Sequence, residues 1–103
     1  MHEVDLEKAH REETRWRIMR ALDAGRPLPV SETVIYRALA DASLPITPAV
    51  LRRELDYLRD KSLVVLTGEE GPVWAAELTA HGVDVVEYAV TAPAGIQRPK
   101  KWW

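Results

Sequence analysis

Between Ile46 and Gly82 the sequence ITPAVLRRELDYLRDKSLVVLTGEEGPVWAAELTAHG changes its hydrophobic period twice, which restricts the fold more than any composition does. At about 100° per residue, Leu51, Leu55 and Leu58 share one stripe and Ala49, Arg53, Asp56 and Asp60 lie roughly opposite, with Arg52 and Tyr57 on the flanks. A helix half in the core and half on the surface is therefore predicted, ending near Lys61 and Ser62. Thr47 followed by Pro48 marks its start: a hydroxyl cap, then a proline at the first helical position, where a missing N–H removes no bond. LVVLT and PVWAAEL then read as the arms of a β-hairpin, Leu63 to Thr67 and Val73 to Leu78, with GEEG as the turn. Thr79 caps a last helix, AHGVDVVEYAV, whose apolar positions Val83, Val86 and Val90 recur at three and four. Gly82 and the valines weaken it.

Upstream, Leu6, Ala9, Trp16, Met19 and Leu22, with Ile18 beside them, predict a helix over Leu6 to Ala24, with Glu7/Arg11, Lys8/Glu12 and Glu13/Arg17 as i,i+4 pairs. Gly25 suits the end of that helix, and Pro27 and Pro29 keep the following chain extended. Ser31 caps a second helix, ETVIYRALADA, with Glu32 at the positive end of its dipole and Val34 or Ile35, Ala38 and Leu39 turned inward. Pro45 stops it. After Thr91 the segment APAGIQRPKKWW reads as a tail without its own fold, giving one domain over 1–91 and a flexible C-terminal tail over 92–103. Removing Pro99 to Trp103 should then leave the melting temperature nearly unchanged.

A chain of 103 residues has room for one core, and 47% hydrophobic with 29% charged residues suits a globular protein. With no Phe the core must be aliphatic, joined by Trp16 and Trp74. The absence of Cys excludes disulfides and thiolate metal sites, and His2, His10 and His81 are too scattered for a metal or cofactor site. No Ser/His/Asp grouping or phosphate-cradling glycine loop appears, so an enzyme is not expected. No apolar run approaches the roughly 18 residues of a membrane span, and the charged stretch Met1 to Arg20 is unlike a signal peptide, which points to the cytoplasm. A net charge of −2 argues against a protein that coats nucleic acid indiscriminately.

Three helices, a hairpin and a final helix make the layout of a winged helix-turn-helix domain: mainly α, with a three-helix core, a two-stranded wing and a C-terminal helix. In that geometry the second helix of the pair enters the major groove with its N-terminal residues against base edges. The stretch ITPAVLRRELDYLRDKSLVVL resembles the recognition helix and following strand of bacterial ArsR- and MarR-type regulators, and AELTAHG resembles their strand-to-helix junction. LTAHGVDVVEYAVTAPAGIQRPKKWW is similar to the C-terminal part of short proteins encoded in Mu-like phages and prophages.

The resemblance implies DNA contacts at Thr47, Pro48, Ala49, Arg52, Arg53 and Asp56, with a wing at Gly68 to Gly71. Arg98, Lys100 and Lys101 in RPKKWW are candidate tail contacts, cations combined with two aromatic rings. Ser62 stands where these regulators carry a glycine, which is accommodated if Ser62 avoids a left-handed backbone. Glu69 and Glu70 make the wing acidic, and Glu54, Asp56 and Asp60 dilute the positive field of the reading helix. The function implied is a sequence-specific, prophage-encoded transcription regulator. It would bind double-stranded DNA as a homodimer paired through its first and last helices, without membrane association. The alternative is a winged helix protein-interaction module that holds a phage or host protein without binding DNA.

Overall fold

The computed structural model describes Asp5 to Trp103; Met1 to Val4, and with them His2, lie outside the described residues. The chain runs α1 (Leu6–Gly25), β1 (Val30–Ser31), α2 (Glu32–Asp41), α3 (Pro48–Asp60), β2 (Val64–Thr67), β3 (Ala75–Leu78) and α4 (Ala80–Val86). The helix starts are built as their sequences require. The side-chain oxygens of Asp5, Ser31, Thr47 and Thr79 accept from the backbone N–H groups of Lys8, Val34, Val50 and Gly82. α2, α3 and α4 end alike: Ser43, Ser62 and Tyr88 take φ of 61°, 61° and 62°. The next residue's N–H then returns to a carbonyl inside the helix, Leu44 to Leu39 at 2.8 Å, Leu63 to Leu58 at 3.0 Å and Ala89 to Asp84 at 2.8 Å. The condition set for Ser62 is not met: it is left-handed where the glycine of the resembled family would be, and Leu63 buried just after it supplies the apolar contact that accompanies such a closure.

The expected two-stranded hairpin is a three-stranded antiparallel sheet of order β1-β3-β2. β1 is two residues long, Val30 opposite Ala76 and Ser31 opposite Ala75, and is the extended stretch that follows Pro27 and Pro29. Both hairpin arms are shorter than predicted. Leu63 closes α3 instead of opening β2, and Trp74 is bonded to α2: its carbonyl accepts from the Glu32 N–H at 2.8 Å and its N–H donates to the Glu32 carboxylate. At the head of the turn, Gly68 has φ +76° and faces the Val73 carbonyl, so a side chain there would meet both backbone strain and a clash.

Ile18, Met19 and Leu22 of α1, Ile35 and Leu39 of α2, Leu51, Leu55 and Leu58 of α3, Leu63, Val64, Ala76 and Val85 form an aliphatic core with Trp16 at its edge. Several inward assignments differ. Leu6 and Ala9 are exposed in the first turns of α1, and α2 turns Ile35 inward, leaving Val34 and Ala38 outside. α4 stops at Val86, where Tyr88 turns left-handed, and it buries Val85 and Val86 while Val83 is half-buried and Val90 exposed. The expected i,i+4 pairs of α1 are not among the ion pairs of the described residues.

The segment 92–103 has no helix or strand, yet part of it is laid on the body. Ile96 is buried, the Gln97 N–H donates to the Glu12 carbonyl at 3.1 Å, and the Tyr88 hydroxyl donates to the Pro99 carbonyl at 2.7 Å. Trp103 meets Tyr88 edge-on at 5.2 Å, although both terminal tryptophans stay largely exposed.

Candidate nucleic-acid interface

α3 presents one face to the core and the other to solvent, as its stripe of leucines requires. Thr47, Pro48, Ala49 and Arg53 are exposed together at its N-terminal end. The Thr47 Oγ1 is occupied as acceptor from the Val50 N–H at 3.1 Å, which leaves its hydroxyl hydrogen to donate outward. Arg53 stands at the rim of a groove of about 640 Å³ between α3 and the first turns of α1, beside His10, Arg11 and Glu7.

Arg52, expected beside Arg53 as a DNA contact, is engaged within the protein. Its Nε and Nη2 donate to the two oxygens of Glu32 at 3.0 and 2.9 Å, and Nη2 also donates to the Pro72 carbonyl at 3.1 Å. The guanidinium lies 4.7 Å from the centre of the Trp74 ring. Bidentate recognition of a guanine needs two parallel N–H donors, Nε with Nη2 or Nη1 with Nη2. Both hydrogens of Nη2 are taken, so in this arrangement Arg52 has only Nη1 to offer. It joins α2, α3 and the β2–β3 turn into one clasp.

Glu32 was legible in the sequence only as an acid at a helix start. It lies 20 positions from Arg52, and no local spacing signals that meeting. The hydrogen bonds from the Arg52 guanidinium hold the Glu32 carboxyl below its ordinary 4.5; burial opposes this and the Trp74 N–H assists. A carboxyl lowered on folding stabilises the fold above its unfolded value and loses that contribution as pH falls through the folded value. The stability difference between wild type and Glu32→Gln should therefore be constant above about pH 5.5 and shrink toward acid pH. Urea denaturation across that range measures it, and a difference that grows toward acid pH would contradict the clasp.

The remaining charges of α3 are also paired. Asp56 forms an ion pair with Arg59 at 3.1 Å, and Arg59 further donates to Asp60 at 3.4 Å and to Glu69 of the β2–β3 turn at 2.9 Å. Glu54 does not dilute the surface field: it is 2% exposed and paired with Arg15 of α1 at 3.1 Å. In the tail, Arg98 donates through Nη1 to the carbonyls of Val85 and Val90 at 2.9 and 2.8 Å and lies 4.3 Å from the Tyr88 ring centre. Arg98 therefore ties the segment to the end of α4, while Lys100 and Lys101 are exposed. Trp74 is half-buried under Arg52 at the edge of the core.

No helix of the described residues is long and apolar enough to cross a membrane. No family model matches the chain, and no match is found among curated proteins, so the ArsR, MarR and Mu-like resemblances gain no support there. Among solved structures the chain is similar to RosR of H. salinarum, from crystals grown from NaBr, with 22% identity over 74% of this chain and 67% of that one and a TM-score of 0.64. At that identity the likeness carries the fold alone: a mainly helical body with a small antiparallel sheet, consistent with a winged-helix-like architecture.

Proposed function

We propose that the protein binds double-stranded DNA as a small transcription regulator, with the N-terminal end of α3 in the major groove and no catalytic role. The observation that carries this reading is the joint exposure of Thr47, Pro48, Ala49 and Arg53 at the start of a helix whose other face is fixed in the core. Arg53 is the principal cation of this face, since Arg52 is held by Glu32 and Pro72. Prophage origin is proposed on the sequence resemblance of the last third of the chain alone, which no family model or curated protein supports. A homodimer would bring two such faces to half-sites about one helical turn apart, and the exposed Leu6 and Ala9 of α1 favour pairing through that helix.

A second reading, a protein-interaction module, is favoured by the neutralisation of Arg52 and Arg59 by Glu32, Asp56, Asp60 and Glu69. The two are separated by incubating purified protein with sheared genomic DNA of its source at about physiological salt, where non-specific binding is weak, and sequencing what is retained. Enrichment of a few sites is expected, with Arg53→Ala weakening binding by about 1–3 kcal/mol. No enrichment by a folded protein would discard the DNA reading and favour the module. Arg52→Ala is a poor probe, since it opens the clasp as well as removing a cation.

A further inference from the structure

Two of the arginines nearest the β2–β3 turn are held by carboxylates that arrive from other elements: Arg52 by Glu32 of α2, and Arg59 by Glu69 of the turn in addition to Asp56 and Asp60 of its own helix. Each contact is of the kind a phosphate would make, two charge-assisted N–H bonds at 3.0 and 2.9 Å in the first case and one at 2.9 Å in the second. A DNA phosphate can take the paired Nε and Nη2 donors of Arg52, or the Nη1 donor of Arg59, only by displacing a partner already in place; on Arg52 it otherwise finds Nη1 alone.

Resting on the duplex-binding reading, we propose that Glu32 and Glu69 act as internal competitors for DNA phosphate, making them specificity-determining residues of the α3 face. The exchange of carboxylate for phosphate gains little by itself. It becomes favourable only where Thr47 and Arg53 find matching base edges, so random duplex, which offers phosphates but seldom those edges, is bound weakly. The acidic wing then has a use under the DNA reading instead of contradicting it. Glu70, exposed beside Glu69, adds repulsion but holds no cation among the described residues.

The test is binding of a short random-sequence duplex, followed by fluorescence anisotropy at several salt concentrations. The proteins are wild type, Glu32→Gln, Glu69→Gln, Arg52→Ala, Arg59→Ala, Arg53→Ala and the doubles E32Q/R52A and E69Q/R59A. Each glutamine variant should bind about two- to fivefold more tightly than wild type. Its salt slope should be steeper by about 0.9, one further phosphate neutralised. Both gains should vanish in the doubles when these are compared with their arginine-to-alanine parents.

An equal gain with and without the arginine would mean that only a repelling charge has been removed, and would overturn the proposal. So would no gain in folded variants; if wild-type binding still depended on Arg53, the DNA reading would stand alone. Absence of binding by every protein would discard the DNA reading and the proposal with it. Should opening the Glu32 clasp unfold the chain, as circular dichroism would reveal, the exposed Glu69 and Arg59 arm decides by itself.

Discussion

Gly82→Ala is expected to lower the melting temperature, although alanine is the better helix former by about 1 kcal/mol. Gly82 is buried in the first turn of α4, and a Cβ there would run into the carbonyl oxygen of Leu63, with the Leu63 carbonyl carbon and Leu78 Cδ2 each 3.2 Å away. The obstacle is backbone and is held: the same carbonyl accepts from the Thr79 N–H at 3.0 Å, and the Thr79 hydroxyl donates to the Ser62 carbonyl at 2.7 Å. Relief requires α4 to lift from the turn between α3 and β2. Overpacking of this kind costs about 1–3 kcal/mol, and each kcal/mol shifts the midpoint by about 4–8 °C in a domain this small. A thermal melt followed by circular dichroism measures it; an unchanged or higher midpoint would show that α4 moves freely. The glycine that weakens the helix in the sequence is what lets the helix dock.

The second large effect is expected at Arg15→Ala. Glu54 is 2% exposed, its Oε1 accepts from Arg15 Nε at 3.1 Å, and its Oε2 has no hydrogen-bond partner among the described residues. Arg15 also donates to the Gly95 carbonyl at 3.2 Å and lies 3.6 Å from the Tyr57 ring centre, so one side chain joins α1, α3 and the C-terminal segment. Truncating it leaves a buried carboxylate unpaired, which costs about 3–5 kcal/mol, a large share of an ordinary domain's total. Replacing the pair together with Met and Leu, R15M/E54L, removes the charge and restores packing, and should recover most of the loss. Urea denaturation of the three proteins decides. A double variant no more stable than Arg15→Ala would assign the loss to the contacts with Tyr57 and Gly95 instead of to the stranded charge.

What was legible in the sequence is what depends on neighbours a few positions away. The caps at Ser31, Thr47 and Thr79 and the core stripe of Leu51, Leu55 and Leu58 are set by side chains and backbone within one or two turns. The exposed half of α3 followed from the same stripe. Polar partners joined across the fold were not legible: Glu32 meets Arg52 at a separation of 20 and Arg15 meets Glu54 at 39, and single charged residues carry no periodicity to announce a meeting. For that reason Glu54 reads as surface and Arg52 as a free cation until the elements are assembled. β1 escaped because two residues cannot display an alternation. The left-handed turns at Ser43, Ser62 and Tyr88 escaped because none carries the glycine that usually marks them.

The four tryptophans divide by environment in a way that gives the clasp its own optical signal. Trp16 is buried at the edge of the core, with the Arg20 guanidinium of its own helix near its ring, and Trp102 and Trp103 are largely in water, so their emission should change little when the β2–β3 turn moves. Trp74 alone has its indole under a guanidinium that is itself shared between two helices. Any event that draws Arg52 away alters the polarity and charge next to that one ring. The intensity and wavelength of its fluorescence would therefore follow the joint between wing and helix in real time, with no label attached.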